Sequence, residues 1–419
     1  MTHESSLPAL LGGTPACPSA WPTWPQFDNT ERRLLNEVLE SGEWWFGARV
    51  REFEAAWAEF QGSRFAVSCT NGTTALEMGL RALGVVAGDE VIVPPYSFVA
   101  TASAVVTVGA IPVFADIQPD TLCLDPDDVE RKLSPRTRAI IPVHVGGRMA
   151  DMDRLGALAK RHGLVVLEDA AHAWGSRWGD RGAGTLGHGG TFSFQVSKNI
   201  TAGEGGVLVT DSEELADLCR SFTHCGRRKG GAWYDHDYLG SNLRLTEFQA
   251  ALLVAQLSRL PGQIARREAS AALLDAALAG LTGIRLPAPE PRMTRRSHHL
   301  YWFRVDVSAL GLSRDRFLQA LVAEGVPASK GWYRPLYRNA VFQNAHRGPV
   351  HGITAPLADQ GVNYTAVHCP VCEQVCEDAV WIPQNVLLAG DDQIRGVADA
   401  IARIVRNADQ LRAPAVAPR

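Results

Sequence analysis

Gly163-Leu164-Val165-Val166-Leu167-Glu168-Asp169-Ala170-Ala171-His172-Ala173 runs from a turn residue through four apolar side chains and stops at two acids. An uninterrupted apolar run of this length suits a parallel strand covered on both faces. Open α/β sheets collect ligands in the crevice outside the carboxyl ends of such strands, so the spacing predicts that Asp169 is delivered there. A carboxylate at that place can hold a protonated ring nitrogen, and it can equally cap the next helix.

Outward from this strand the same pattern repeats. Apolar strands are predicted at 64–68, 90–93, 111–115, 139–143 and 165–169, and helical periodicity fills the gaps at 72–83, 98–106, 126–133 and 152–162. Alternation of this kind gives a doubly wound, mostly parallel sheet. Asp125 followed by Pro126 marks one helix start, since proline at the first helical position gives up an N–H that has no partner there. Two helices, 30–41 and 50–61, precede the sheet, and strands near 190–193 and 206–210 and a helix near 213–222 complete it. A long amphipathic stretch from 246 to about 278, interrupted by Pro261-Gly262, leads to a strand at 300–307 and helices near 313–324 and 391–407. The expected organisation is an arm (1–29) that packs on something else, a partner subunit included, then a large α/β domain (30–260) and a smaller C-terminal α+β domain (261–419).

The chain has 419 residues, 46% of them hydrophobic, and a formal net charge of -4. That length supports two domains, and intermixed acids and bases argue against a nucleic-acid partner, which would favour a basic stripe. No run approaches the roughly 20 apolar residues of a membrane helix, and the first residues lack the pattern of a signal peptide, so a cytoplasmic location away from membranes is expected.

Two further segments carry chemistry. In Ser193-Phe194-Gln195-Val196-Ser197-Lys198-Asn199-Ile200-Thr201-Ala202-Gly203-Glu204-Gly205-Gly206 a strand-like entry runs into a glycine-rich turn. A lysine there is either a solvated surface residue or a Schiff-base amine, whose pKa burial must lower before it attacks a carbonyl. In Ser68-Cys69-Thr70-Asn71-Gly72-Thr73-Thr74-Ala75-Leu76 small and hydroxyl residues open a helix, either as caps or as an anion cup built from backbone N–H groups and the Thr73 and Thr74 hydroxyls. An anion cup, an acid at a strand end and a lysine in a small-residue turn, in that order, are what a lysine-bound pyridoxal 5'-phosphate requires.

Eight cysteines in so long a chain do not make a disulfide scaffold. His368-Cys369-Pro370-Val371-Cys372-Glu373-Gln374-Val375-Cys376 can be misread as a metal site. With three thiols and no second C-x-x-C pair, it reads more simply as a helix entering the strand 379–383, and no metal is expected.

With these motifs in place the chain resembles the DegT/DnrJ/StrS family of pyridoxal-phosphate sugar aminotransferases, from Leu10-Leu11-Gly12-Gly13 to the last helix. The matching segments include Asn71-Gly72-Thr73-Thr74-Ala75-Leu76, Pro95-Tyr96-Ser97-Phe98-Val99-Ala100-Thr101, Glu168-Asp169-Ala170-Ala171-His172-Ala173, the Lys198 block and Gly240-Ser241-Asn242-Leu243-Arg244-Leu245-Thr246-Glu247. The resemblance implies a fold-type I transferase. In it Lys198 carries the cofactor and shuttles protons, Asp169 pairs with the pyridinium nitrogen, His172 lies near the phenolic oxygen, and Phe98 stacks on the ring. Gly72, Thr73 and Ser193 are implied as phosphate contacts, and Asn242 as a residue reaching the phosphate from a neighbouring subunit, so the active form would be a homodimer with shared sites. Related dehydratases carry histidine where Lys198 stands, which favours transamination.

Finer likeness at Tyr333-Arg334-Pro335-Leu336-Tyr337, Cys369-Pro370-Val371-Cys372-Glu373 and Val380-Trp381-Ile382-Pro383 is to members that aminate keto-cyclitols of the scyllo-inosose type for aminoglycosides, or to aminohydroxybenzoate synthases, more than to nucleotide-sugar enzymes. The expected partners are small molecules, glutamine or glutamate as amino donor and a ketone on a polyhydroxylated ring as acceptor. Tyr333, Tyr337 and His368 are candidates for holding its hydroxyls. Arg227, Arg228 and Lys229 would be the place for a diphosphate grip, with a solvated loop as the simpler reading.

Overall fold

A computed structural model describes residues 7–343 and 362–412. Thirteen strands occur among them: β1 (Phe65–Cys69), β2 (Glu90–Val93), β3 (Ile111–Phe114), β4 (Thr137–Ile140), β5 (Val165–Asp169), β6 (Arg177–Trp178), β7 (Arg181–Gly182), β8 (Gly189–Ser193), β9 (Gly206–Thr210), β10 (Ile284–Arg285), β11 (Met293–Arg295), β12 (Leu300–Val305) and β13 (Ala379–Pro383). Seven form one sheet in the order β1-β9-β8-β5-β4-β2-β3. Only β9 runs against its neighbours. It returns beside β8 after the glycine-rich turn, pairing Ser193 with Gly206, so the turn that carries Lys198 hangs at the carboxyl end of the sheet.

Helix Gly72–Ala82 lies against the sheet unusually closely. At Gly79 a Cβ would come within 2.9 Å of both Leu167 and Leu208, so glycine permits the contact. Gly72 has the same role at the helix start, where a Cβ would sit 2.8 Å from the Ser193 Cβ. This close seating sets the helix N-terminus beside the ends of β5 and β8.

Pro261 does not interrupt its segment. A single helix runs from Glu247 to Leu278 with the proline inside it. An interior proline costs about 3 kcal/mol in isolation. Here burial of Leu253, Leu257, Leu260 and Ile264 in the sheet core and of Ala271, Leu274 and Leu278 in the C-terminal core offsets that loss. The strand expected at 300–307 also stops early. Asp306 accepts the Ala309 N–H at 3.0 Å and caps a short helix, Val307–Leu310.

The arm packs on its own chain. Ala9 and Ala16 donate backbone N–H groups to the Glu324 carboxylate at 2.9 and 2.8 Å, and Trp21 Nε1 donates to the Gly325 carbonyl at 2.7 Å. Helix Pro370–Asp378 is tied to the large sheet in a similar way, with Asp116 accepting the Val371 and Cys372 N–H groups, each at 2.9 Å. Cys369, Cys372 and Cys376 are buried there as free thiols, and burial pushes the first two up from their ordinary range.

Candidate active site

A cleft of about 790 Å³ opens at the carboxyl ends of β5 and β8, and Gly72, Thr73, Phe98, Asp169, Ser193 and Lys198 all line it. Residues separated by more than a hundred positions thus meet where the sheet topology places them. His172 lines it too, from the turn that follows β5.

Strand alternation explains why Asp169, and not Glu168, faces the cleft, because successive side chains on a strand point to opposite faces. Asp169 Oδ2 accepts the Thr101 hydroxyl at 2.8 Å and Oδ1 accepts the Ala171 N–H at 3.2 Å. Thr101 is in turn 2.6 Å from the Ser97 hydroxyl, so the carboxylate is held from behind by a two-hydroxyl chain. Burial raises its pKa, against the lowering effect of those bonds and of Lys198. A buried acid pushed toward neutrality regains its charge when a cation is placed against it.

The start of helix Gly72–Ala82 divides its work. Asn71 caps it by accepting the Thr74 N–H at 2.9 Å, and Thr74 returns its hydroxyl to the Asn71 carbonyl at 2.9 Å. The Thr74 hydroxyl, expected in an anion cup, is therefore spent on the cap. Gly72 and Thr73 remain in the cleft wall with first-turn N–H groups that no helical carbonyl can reach. Ser193 Oγ accepts the Gln195 N–H at 3.3 Å, which leaves its O–H to donate. Two orphan amides, two hydroxyls and the positive end of a helix make a seat for a dianion that needs no basic side chain.

Lys198 enters from the opposite wall, with its Nζ over the Trp174 ring at 5.8 Å from the centroid. Withdrawal from water lowers its pKa to about 8, although Asp169 and Glu204 pull the other way. At that value a useful fraction of the amine is unprotonated near neutral pH, as a nucleophile or proton shuttle needs. His172 Nδ1 accepts the Gly146 N–H at 3.3 Å, and burial holds its pKa well below the ordinary histidine range. The imidazole is thus neutral, with its proton on Nε2.

Of the remaining expected residues only Phe98 is in the cleft lining. Phe98 is 61% exposed on the cleft rim. Asn242 is exposed, bridged to His224 and outside the cleft lining. Tyr333 is 57% exposed next to Trp332, with Lys330 Nζ 4.8 Å from its ring centre. Tyr337 is only 1% exposed, and its hydroxyl donates to Glu373 at 2.6 Å. His368 Nδ1 lies 3.0 Å from the same carboxylate, so these two serve a cluster apart from the cleft. Sequence reasoning did not single out His299, Trp332 or Trp381, which line the far wall, nor Thr101 behind Asp169.

A family model for the DegT/DnrJ/EryC1/StrS aminotransferases matches residues 25–402. The chain belongs to that family. It is 39% identical over 398 residues to a 3-amino-5-hydroxybenzoate synthase of Amycolatopsis mediterranei, covering 93% of this chain and 98% of the relative. To an L-glutamine:2-deoxy-scyllo-inosose aminotransferase of Micromonospora echinospora it is 38% identical over 430 residues, covering 97% and 100%. The crystal structure of a 3-amino-5-hydroxybenzoic acid synthase superposes with a TM-score of 0.82 at 38% identity, over 92% of this chain and 99% of that one. This aminotransferase therefore shares its fold with that synthase. Among the described residues no helix is long and apolar enough to cross a membrane.

Proposed function

We propose that this aminotransferase uses pyridoxal 5'-phosphate to move an amino group from glutamine or glutamate to a ketone on a polyhydroxylated ring, a keto-cyclitol of the scyllo-inosose type, in the making of an aminoglycoside-like product. The observation that carries the reading is the meeting of Asp169, Lys198 and the Gly72–Thr73 amides around one cleft. The residues present fit the cofactor. A Cβ on Gly72 would collide with Ser193 in the anion seat, and among the described residues no cation lies at hydrogen-bond distance from the buried Asp169 carboxylate. When bound, the cofactor supplies an aldehyde and a protonated ring that act as an electron sink.

Each residue then has a defined task. Gly72, Thr73 and Ser193 grip the phosphate, and Asp169 keeps the ring nitrogen protonated, held in place by Thr101. His172 offers Nε2–H to the phenolic oxygen. Phe98, on the rim, would cover one face of the ring. Lys198 would take the proton from the donor's α-carbon and, as the ammonium, give it up to the carbon that receives it, returning to the neutral amine, and a pKa near 8 suits both transfers.

The relatives named for cyclitols and for aminohydroxybenzoate support a free ring as acceptor. So does the lining, in which Lys198 is the one lysine or arginine among the described residues. A diphosphate would find no further cation there. Arg228 pairs with Asp237 at 3.3 Å and Lys229 with Asp217 at 3.3 Å, while Arg227 lies over the Trp233 ring at 5.1 Å. Phe98, Trp44, Trp45, Trp233, Tyr234 and Leu239 are exposed apolar side chains of the kind that a second copy would cover, in a dimer that would bring Asn242 to a neighbour's phosphate seat.

The test is to load the protein as its pyridoxamine form and add keto-cyclitols and nucleotide keto-sugars one at a time. Recovery of the aldehyde absorbance with the cyclitols is expected. Recovery with nucleotide sugars alone would overturn the substrate assignment.

A further inference from the structure

Trp174 is fully buried in the turn that follows β5, and the scheme above gives it no task. Its indole has little freedom to move. Nε1 donates to the Ser193 carbonyl at 3.0 Å, which ties the ring to the last residue of β8 and hence to the phosphate seat. The turn closes around it, with the Ala173 N–H on the Ala170 carbonyl at 2.8 Å and the Ser176 N–H on the Ala173 carbonyl at 3.0 Å. At Gly175, with φ of +76°, a Cβ would come within 2.8 Å of both Ile264 and Phe60, so glycine lets the turn sit against the core.

What lies over that ring is the amine, with Lys198 Nζ 5.8 Å from the ring centre. Among the described residues Nζ makes no hydrogen bond and no ion pair. The charged and titratable groups that bear on it are Asp169 from β5, Glu204 from the glycine-rich turn, His172 from the turn after β5 and His299 from the turn before β12. The two carboxylates raise its pKa from a distance, while burial keeps both imidazoles neutral. An ammonium withdrawn from water with no counter-ion in contact is costly. The indole face is the group placed to offset that cost, since an aromatic face within about 6 Å of a cation attracts it through the ring quadrupole, most strongly where water is excluded.

We propose that Trp174 is a positioning residue for Lys198, its indole face holding the ε-ammonium at one fixed point of the cleft wall while the lysine carries its proton. Lys198 gains that proton when a C–H bond of the amino donor breaks and leaves its electron pair on the carbon framework, and loses it when that pair takes the proton back at the receiving carbon. Between the two events the charge has to be stabilised without being trapped. A carboxylate in contact would pair with the ammonium and hold the proton back. The π face attracts the charge and has no lone pair to take the proton. Because Nε1 is anchored to the Ser193 carbonyl, the same ring keeps the amine in register with the phosphate seat. The inference rests on Lys198 being the cofactor lysine.

The test reads the amine in the full-length protein freed of cofactor. The pH dependence of Lys198 acylation, followed by peptide mass spectrometry, gives its midpoint. Fluorinated tryptophans placed at position 174 by nonsense suppression keep the shape and the Nε1–H of indole while draining negative charge from its face. The midpoint should fall with each added fluorine, by about one pH unit for the most fluorinated ring, because a weaker face favours the neutral amine. Urea midpoints of the same proteins should stay at the wild-type value, since the packing is unchanged. Trp174→Leu should lower the acylation midpoint at least as far as full fluorination does, and the fluorinated series decides the matter even if that variant fails to fold. A midpoint that stays at the wild-type value or rises with fluorination would overturn the proposal and leave Trp174 as packing alone. If borohydride instead fixes the cofactor on another lysine while the Lys198 midpoint still follows fluorination, the functional reading fails and this contact stands.

Discussion

Glu168 and Asp169 are adjacent acids on β5, and their surroundings differ completely. Glu168 is sealed on one face of the strand, where it meets His144 Nε2 at 2.8 Å and accepts N–H groups from Gly184, Leu186 and Gly187 at 2.8, 2.7 and 2.6 Å. Asp169 on the other face accepts two bonds and opens into the cleft. The first acid has every lone pair spent on holding loops to the sheet. The second is kept short of partners, and burial leaves it ready for a cation. Saturation by the chain's own donors separates a structural carboxylate from a functional one where burial alone would not.

The largest effect that would sharpen this contrast lies at the amine opposite Asp169. Lys198→Ala should lower turnover by about 10⁴-fold while the far-ultraviolet spectrum stays that of wild type, because the proton shuttle is lost without disturbing a core contact. Asp169→Asn should cost about 10²-fold to 10³-fold in kcat and weaken cofactor retention, with little change in the urea midpoint. Glu168→Gln inverts that outcome. It should lose about 3 kcal/mol of stability in urea unfolding, since the amide group must face backbone donors, yet keep kcat within about twofold in the folded protein. If Glu168→Gln abolished turnover at full stability, the distinction between the two acids would be wrong.

Smaller effects refine it. Thr101→Val removes the hydroxyl behind Asp169 and should cost about tenfold in kcat, measured at saturating substrates, by letting the carboxylate drift toward its neutral form. Tyr337→Phe should cost about 1 kcal/mol, from the Glu373 and Cys369 contacts at 2.6 and 3.1 Å, and leave steady-state kinetics unchanged.

Much of the sheet was legible because buried parallel strands write themselves as apolar runs. Val165–Asp169, Glu90–Val93 and Gly206–Thr210 have the ends that periodicity assigns to them. Asp169 was readable for the same reason, since a strand end fixes which side of the sheet an acid occupies. The roles of Thr101, His299, Trp332 and Trp381 were not, because Thr101 meets Asp169, and the other three reach the cleft, across long sequence intervals that no local pattern records. Pro261 misled for a related reason. Its local cost is real, but packing against two cores holds the helix through it, and that packing is tertiary. The spent Thr74 hydroxyl shows the limit within a single motif: capping and anion binding use the same residue types, and only the hydrogen bonds say which hydroxyl does which.

The most direct check is to reduce the protein loaded with pyridoxal 5'-phosphate by borohydride, digest it, and find the pyridoxyl mass. The chain contains five lysines, at positions 132, 160, 198, 229 and 330, so each can be read separately. The account predicts the label on Lys198 and its loss from that site in Lys198→Ala. A stoichiometric label on any of the other four, with Lys198 unmodified, would contradict it.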